Sequence, residues 1–224
     1  MKSFSLGIIG LALTILSDFG GNVIRIMKNA IYLASQSPRR KEILQQLGLH
    51  SIVLPSDVDE SVRAGEPPEA YVLRLAHEKA LMCRQALLRD GKPMLPIVAA
   101  DTTVCVDGAI LGKPENEQDA CNMLKSLSGR CHEVHTAVAV ASADAIETAL
   151  STSHVEMAPL SDADILAYIA SGEPYDKAGG YGIQGLAGIF IKSITGSYSG
   201  VMGLPIFETA QLLRNAGIEL LKHE

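Results

Sequence analysis

A handful of side chains, far apart along the chain, have the chemistry to grip and cleave a polyphosphate. Ser35-Gln36-Ser37-Pro38-Arg39-Arg40 joins an apolar run, Ile31 to Ala34, to a helical pattern. Ser37 reads as an N-cap and Pro38 as the first helical residue. A helix start offers free N–H groups and a partial positive charge. Ser35, Ser37 and the forked guanidinium groups of Arg39 and Arg40 add donors that suit a phosphate chain. Asp101 follows the apolar run Pro96 to Ala100. A carboxylate there serves solubility poorly, and strand ends of α/β sheets are where ligands bind. It can act as a general base, a metal ligand, or both. Glu60, in the acidic bend Asp57-Val58-Asp59-Glu60, can share a hard divalent cation with it. Lys113, in Leu111-Gly112-Lys113-Pro114, and Lys79, inside a helical pattern, are further cations for phosphates. In the glycine-rich stretch Asp176 to Gly185, backbone can approach a ligand closely. Gln184 there carries an amide able to read a base edge.

Each residue taken alone also has a bland reading. Asp101 can form a turn, Glu60 and the lysines can be solvated, and Ser37 can simply cap a helix. Two other strings are false leads. Gly180-Tyr181-Gly182-Ile183-Gln184-Gly185 matches G-x-G-x-x-G, but a dinucleotide site needs a strand before it and a helix after it. His132-Glu133-Val134-His135 is one residue short of a zinc-protease helix motif. In a strand its two histidines point to opposite faces, as a surface His and a strand-entry His.

The positioning elements follow from periodicity. Ile31 to Ala34 is a strand, and Pro38 to Leu47 a short basic-headed helix closed by Gly48. Residues 50 to 60 run from strand into the acidic bend, and Pro68 to Leu88 is a long helix. Pro96 to Ala100 is a strand buried on both faces that ends at Asp101. Val104 to Leu111 is a hairpin about Asp107-Gly108. Asn116 to Leu127 is a helix, and His135 to Ala143 and Ile146 to Met157 are strands. Ser161 caps a helix to about Ala170. Gly172 to Gly188 is loop, Ile189 to Ile194 a strand and Leu204 to Asn215 the closing helix. The mixed order predicts an α/β sheet with packed helices.

Composition narrows the function. The 224 residues are 47% hydrophobic and 20% charged, which excludes a disordered or fibrous protein. Lys+Arg of 19 against Asp+Glu of 25 gives a net charge of -6, the wrong balance for a nucleic-acid polymer. Aromatics are 4% with no Trp, which argues against a base-stacking platform. Cys83, Cys105, Cys121 and Cys131 form no C-x-x-C pair and lack a His ligand spacing; they read as buried small hydrophobes in a reducing compartment. Residues 4–16 are apolar but too short to span a bilayer. Residues 1–29 therefore form an N-terminal extension: a signal-peptide core, a weak interfacial anchor, or a start placed upstream of the true one near Met27. The third is preferred. Residues 30–224 form the functional domain.

The motifs in order carry a resemblance. Ala34-Ser35-Gln36-Ser37-Pro38-Arg39-Arg40, Asp57-Val58-Asp59-Glu60, Ala100-Asp101-Thr102-Thr103, Leu111-Gly112-Lys113-Pro114, Ser128-Gly129-Arg130, His135-Thr136-Ala137-Val138 and Asp176 to Gly185 resemble the Maf family of nucleoside triphosphate pyrophosphatases over residues 30 to 218. The resemblance implies a Maf/inosine-triphosphate-pyrophosphatase-like α/β fold, with a long curved mixed sheet and two lobes around a cleft. It implies hydrolysis of a nucleoside triphosphate to monophosphate and pyrophosphate with divalent Mg or Mn. It implies a proton acceptor at Asp101, carries the motif serine, arginine, glutamate and lysine onto Ser35, Arg39, Glu60 and Lys113, and implies specificity at Arg40, Thr102 and Gln184; Glu60 and Asp101 as metal ligands and Lys79 as a phosphate contact remain readings of the residues themselves. That trio is similar to the dTTP/UTP-selective branch; modified pyrimidine nucleotides are further candidate substrates. The alternatives are a 7-methyl-GTP-type enzyme and a nucleotide-binding regulator of division. A kinase is disfavoured because no G-x-x-x-x-G-K-[ST] loop occurs. A cytoplasmic enzyme is expected, without membrane insertion and with a homodimer as an open case.

Overall fold

The computed structural model describes residues 29–221, together with the backbone of 16–17 and 23–24. The apolar run over 4–16 lies outside the described residues, apart from the backbone of Leu16, which pairs with Ile24 in a two-residue antiparallel ladder. No described helix is long and apolar enough to cross a membrane.

Seven strands make one mixed sheet: β1 (Ala30–Leu33), β2 (His50–Val53), β3 (Ile97–Val106), β4 (Ala109–Leu111), β5 (Cys131–Ala141), β6 (Ile146–Met157) and β7 (Ile191–Thr195). Their spatial order is β2-β1-β3-β5-β6-β7, with β4 hairpinned onto β3. β1 pairs in parallel with β2 and with β3; the long β3, β5 and β6 run antiparallel. The mixed α/β architecture is as expected from the sequence.

Alternation along β3 and β5 sends side chains to two helical layers. On one face Ile97, Ala99, Ala137, Ala139 and Ala141 pack on Val72, Ala76, Ala80, Cys83 and Leu87 of α2 (Pro68–Arg89). The alanines let this long helix lie close to the sheet. On the other face Val98, Ala100, Val138 and Val140 meet Ile43 and Leu44 of α1 (Pro38–Gln46) and Leu212 and Leu213 of α6 (Ile206–Asn215). A further core gathers Leu124 and Leu127 of α3 (Glu117–Leu127), Ile165 and Ile169 of α4 (Asp162–Ala170), Val155, Tyr181 and Phe190.

Three details differ from the sequence expectation. β3 does not end at Asp101; it continues through Thr102 and Thr103 to Val106, paired without a break to β5 from Ile97↔Ala141 to Cys105↔Glu133. The β-branched Thr-Thr-Val run sustains the strand past the polar residue. A short helix α5 (Tyr198–Val201), unforeseen, follows Ser197, whose hydroxyl accepts from Gly200 N–H. The glycine-rich stretch holds three short 3₁₀ turns instead of featureless loop. The hairpin is as expected: Asp107 and Gly108 have φ of 51° and 77°, which a tight two-residue turn requires.

Candidate functional site

The sheet leaves a gap where the site forms. β1 reaches β3 only at Tyr32↔Ile97 and Leu33↔Val98, and β4 takes the same edge again from Val104↔Leu111. Between Val98 and Val104, among the described residues, β3 is paired on the β5 side alone. A cleft of about 850 Å³ opens onto this unpaired edge. Every residue nominated from the sequence lines it, in three groups: Ser35, Arg39 and Lys113; Glu60, Lys79 and Asp101; Arg40, Thr102 and Gln184.

The acidic group sits at the floor. Asp101 faces α2, where Lys79 Nζ lies 2.6 Å from its Oδ1. The same ammonium lies 2.6 Å from Glu60 Oε1. Lys79, nominated for phosphate, thus bridges the two carboxylates. Burial pushes the Asp101 carboxyl upward; the charges of Lys79 and Arg40 oppose this without cancelling it, and Glu60 adds to the rise. For half-exposed Glu60, burial also pushes upward, but the bond from Lys79 and the charges of Lys79, Lys113 and Arg40 prevail and hold it below its usual range. Neighbouring carboxylates held at different proton affinities divide acid–base roles.

Arg40 ties three segments together. It donates from Nε to Gly203 O at 2.8 Å, and from its two terminal nitrogens to Ser35 Oγ at 3.1 Å and Thr102 Oγ1 at 3.3 Å. Thr136 Oγ1 lies 3.0 Å from Thr102 Oγ1 and donates to Gly200 O at 2.8 Å. Burial lowers the proton affinity of Arg40. Its forked donors are therefore spent on the turn after β1, on β3 and on the loop before α6. Ser37 is the N-cap of α1 by position, but its hydroxyl makes no cap bond. Ser35 Oγ instead accepts from Ser37 N–H at 3.1 Å. The first turn of α1 therefore keeps N–H groups without a side-chain cap, beside Arg39.

The glycine-rich segment forms the opposite wall. Asp176 Oδ2 accepts from Arg39 at 3.0 Å, and its other oxygen pairs with Lys177. Glu173 organises the strand of residues behind Gln184. It accepts from Tyr168 O–H at 2.9 Å and from Leu186 N–H at 2.9 Å, while Gly182 N–H donates to Tyr168 Oη at 3.2 Å. Gln184 is left exposed to the cleft. The glycines serve chain packing as much as ligand approach. Gly179, at φ 69°, lies so close that a Cβ there would stand 2.9 Å from Val104 Cβ.

Sequence reading missed the residues that hold Glu60 in place. Arg74 grips Glu66 through two bonds of 2.6 and 2.7 Å and donates to Ser61 O at 3.0 Å. Tyr71 O–H donates to Glu60 O at 2.9 Å. These bonds lash the acidic bend to α2. The spacing Tyr71, Arg74, Glu78 is that of one helical face, which is the only trace of the knot in the sequence.

The two histidines do point to opposite faces of β5, but both are buried, which corrects the surface reading of one of them. His132 Nε2 lies 2.7 Å from Tyr181 Oη, and burial pushes its proton affinity down to about 4. Cys83 and Cys105 are buried as expected, whereas Cys121 is half-buried and Cys131 exposed; all four are free. Their reading as uniformly buried hydrophobes fails because Cys131 opens β5 at the sheet margin.

Glu60 and Asp101 fit a hard divalent ion in donor chemistry: two carboxylates converge on the Lys79 ammonium at the floor of a polar cleft.

Known proteins resemble this chain over nearly all of its described length. A family model described as "Maf-like protein" matches residues 30–216. A protein of Methylobacillus flagellatus named dTTP/UTP pyrophosphatase is 62% identical over 192 residues, covering 85% of this chain and 94% of that one. One of the same name from Chromobacterium violaceum is 55% identical, covering 85% and 96%. A nucleoside triphosphate pyrophosphatase of Haemophilus ducreyi is 49% identical, covering 87% and 99%.

Proposed function

This chain belongs to the Maf-like family, and from that premise we propose that it hydrolyses dTTP and UTP to the monophosphate and pyrophosphate. The names of its 62% and 55% identical relatives support the substrate pair. One observation carries the chemistry: a carboxylate pair on a shared cation shares a cleft with Arg39, Lys113 and the uncapped start of α1.

Asp101 orients a water and takes its proton as the water oxygen bonds to the α-phosphorus. The bond from that phosphorus to the bridging oxygen breaks, and its electron pair leaves with pyrophosphate. A carboxyl raised by burial suits this task, because its proton affinity lies nearer working pH than that of a solvated aspartate. Arg39, Lys113, Ser35 and the helix start hold phosphate oxygens and stabilise the charge that moves onto the leaving group. Glu60 and Asp101 would hold the divalent ion, whose chemistry when bound is Lewis-acid neutralisation of phosphate oxygens. Lys79 keeps the two carboxylates together and offsets part of their charge. Arg40 fixes Thr102 and the turn before α1, shaping the pocket into which Gln184 presents its amide to the O4/N3 edge of the pyrimidine. Four free cysteines support a reducing compartment, the cytoplasm.

The test is a panel of nucleoside triphosphates with Mg²⁺, read as release of pyrophosphate and of inorganic phosphate separately. Pyrophosphate from dTTP and UTP well ahead of purine nucleotides is the expected result. Release of single phosphates, or purine preference, overturns the reading.

A further inference from the structure

Further along the face that carries Asp101, away from α2's core contacts, β3, β5 and β6 bring a second set of reactive side chains together. Register places Cys105 opposite Glu133 and Glu133 opposite His154, a row across three strands. His135, two residues along β5 from Glu133, shares its face. One donor atom each from Cys105, Glu133 and His135 lie within 4.8 Å of one another. Glu133 is central: Oε2 lies 3.3 Å from His135 Nε2, and Oε1 lies 3.2 Å from His154 Nε2.

His135 points to a ligand. Its side chain is 1% exposed. Nδ1 lies 3.0 Å from Thr152 Oγ1, while Nε2 is buried without a hydrogen-bond partner among the described residues, its approach to Glu133 lacking the geometry of one. A buried polar atom left unpaired is costly. A ring held through one nitrogen, with the other aimed at a cysteine and a carboxylate, has the form of a metal-ligating histidine and its outer partner.

We propose that Cys105, Glu133 and His135, completed by His154, bind one divalent ion of the zinc type. Sulfur, imidazole and carboxylate donors in fourfold array suit Zn²⁺ or Co²⁺ and disfavour Mg²⁺. Ligand bonds of about 2.0–2.3 Å require a slight closing of the donors, which half-exposed Glu133 and His154 can supply. Cys105 binds as thiolate, its proton released to water. The ion would clamp the three central strands beyond the cleft. The sequence concealed this set because the cysteine lies on a different strand from its partners.

The experiment uses the full chain stripped of metal. Co²⁺ should give a thiolate charge-transfer band at one equivalent, and Zn²⁺ should displace it and raise the melting temperature. Cys105→Ser should abolish the band and weaken Zn²⁺ at least about tenfold. His154→Ala, at an exposed position that folding tolerates, should weaken Zn²⁺ as well. Asp101→Asn should leave the band and the affinity unchanged. The proposal falls if wild type gives no band, if Cys105→Ser retains wild-type affinity, if His154→Ala binds as wild type, or if Asp101→Asn alone weakens binding. Because nucleotide turnover is not measured, failure here leaves the pyrophosphatase reading untouched, and the reverse holds.

Discussion

Lys79 Nζ stands 2.6 Å from Asp101 Oδ1, and both side chains are only about a tenth exposed. The ammonium comes from α2 and the carboxylate from the middle of β3, so the pair fixes how the helix sits on the strand. Removing Lys79 leaves the buried carboxylate unanswered, whereas an ammonium that loses the Asp101 charge keeps Glu60 at 2.6 Å. The proton affinity of Asp101 therefore depends on a balance among burial, Lys79, Arg40 and Glu60.

Asp101→Asn should lower kcat for pyrophosphate release from dTTP by at least about 100-fold, the usual worth of a positioned base. The amide oxygen can still accept from Lys79, so far-UV circular dichroism and melting temperature should change little. Near-native turnover would remove Asp101 from the base role.

The acid limb of kcat/KM should lie above the ordinary aspartate value of 3.8, because burial raises the folded-state affinity and the base must be ionised to work. Glu60 contributes to that rise, so Glu60→Gln should move the limb to lower pH whatever happens to the plateau. A limb that stays put or moves upward contradicts the coupling.

Glu66 is held down to about 2 from 4.5, first by its bonds from Arg74. A carboxyl lowered in the folded state adds stability above its unfolded value and loses it as pH falls toward the folded one. Glu66→Gln should thus melt earlier than wild type at pH 7, with the gap closing between about pH 4.5 and about pH 2. The same variant should raise KM by loosening the bend that bears Glu60. A melting gap independent of pH would dissociate Glu66 from this pairing.

Gln184→Ala should narrow the ratio of kcat/KM for dTTP over purine nucleotides, since the amide can both donate to and accept from the base edge. An unchanged ratio would show that discrimination lies elsewhere in the pocket.

Gly179→Ala should destabilise by about 1–3 kcal/mol from overpacking against Val104, on top of left-handed backbone strain at φ 69°. Gly91→Ala, at φ 61° with nothing within 4 Å of the added carbon, isolates the strain alone, about 1–2 kcal/mol. Equal melting losses for the two would mean that the Val104 contact relaxes freely.

The site's residue types were legible because phosphate chemistry demands cations, a helix start and a carboxylate, and these sit in short local strings. Helix ends were equally local: Asn116 Oδ1 accepts from Asp119 N–H, and Ser161 forms its capping box with Asp164. What escaped depends on pairing between distant segments. Nothing near Asp101 announces that pairing with β1 stops at Leu33↔Val98 and so uncovers one edge of a longer strand. Lys79 reads as one more cation until α2 is laid over β3. Arg74 and Glu66 look like solvated charges until the bend folds back on the helix. Cys105 and Glu133 are 28 positions apart yet directly opposed.

The strict alternation of β3 has an evolutionary corollary. Asp101 and Thr102 serve the same cleft from opposite sides of one ribbon, Asp101 toward α2 and Thr102 toward Arg40. Deleting any single residue between Ile97 and Ala100 would turn the ribbon over, sending the acid among the valines and leucines under α6 and offering Lys79 an alanine or a threonine. Length variation among descendants of this chain should therefore accumulate in its turns and tails, while the spacing from Ile97 to Thr102 stays frozen even where individual apolar side chains drift.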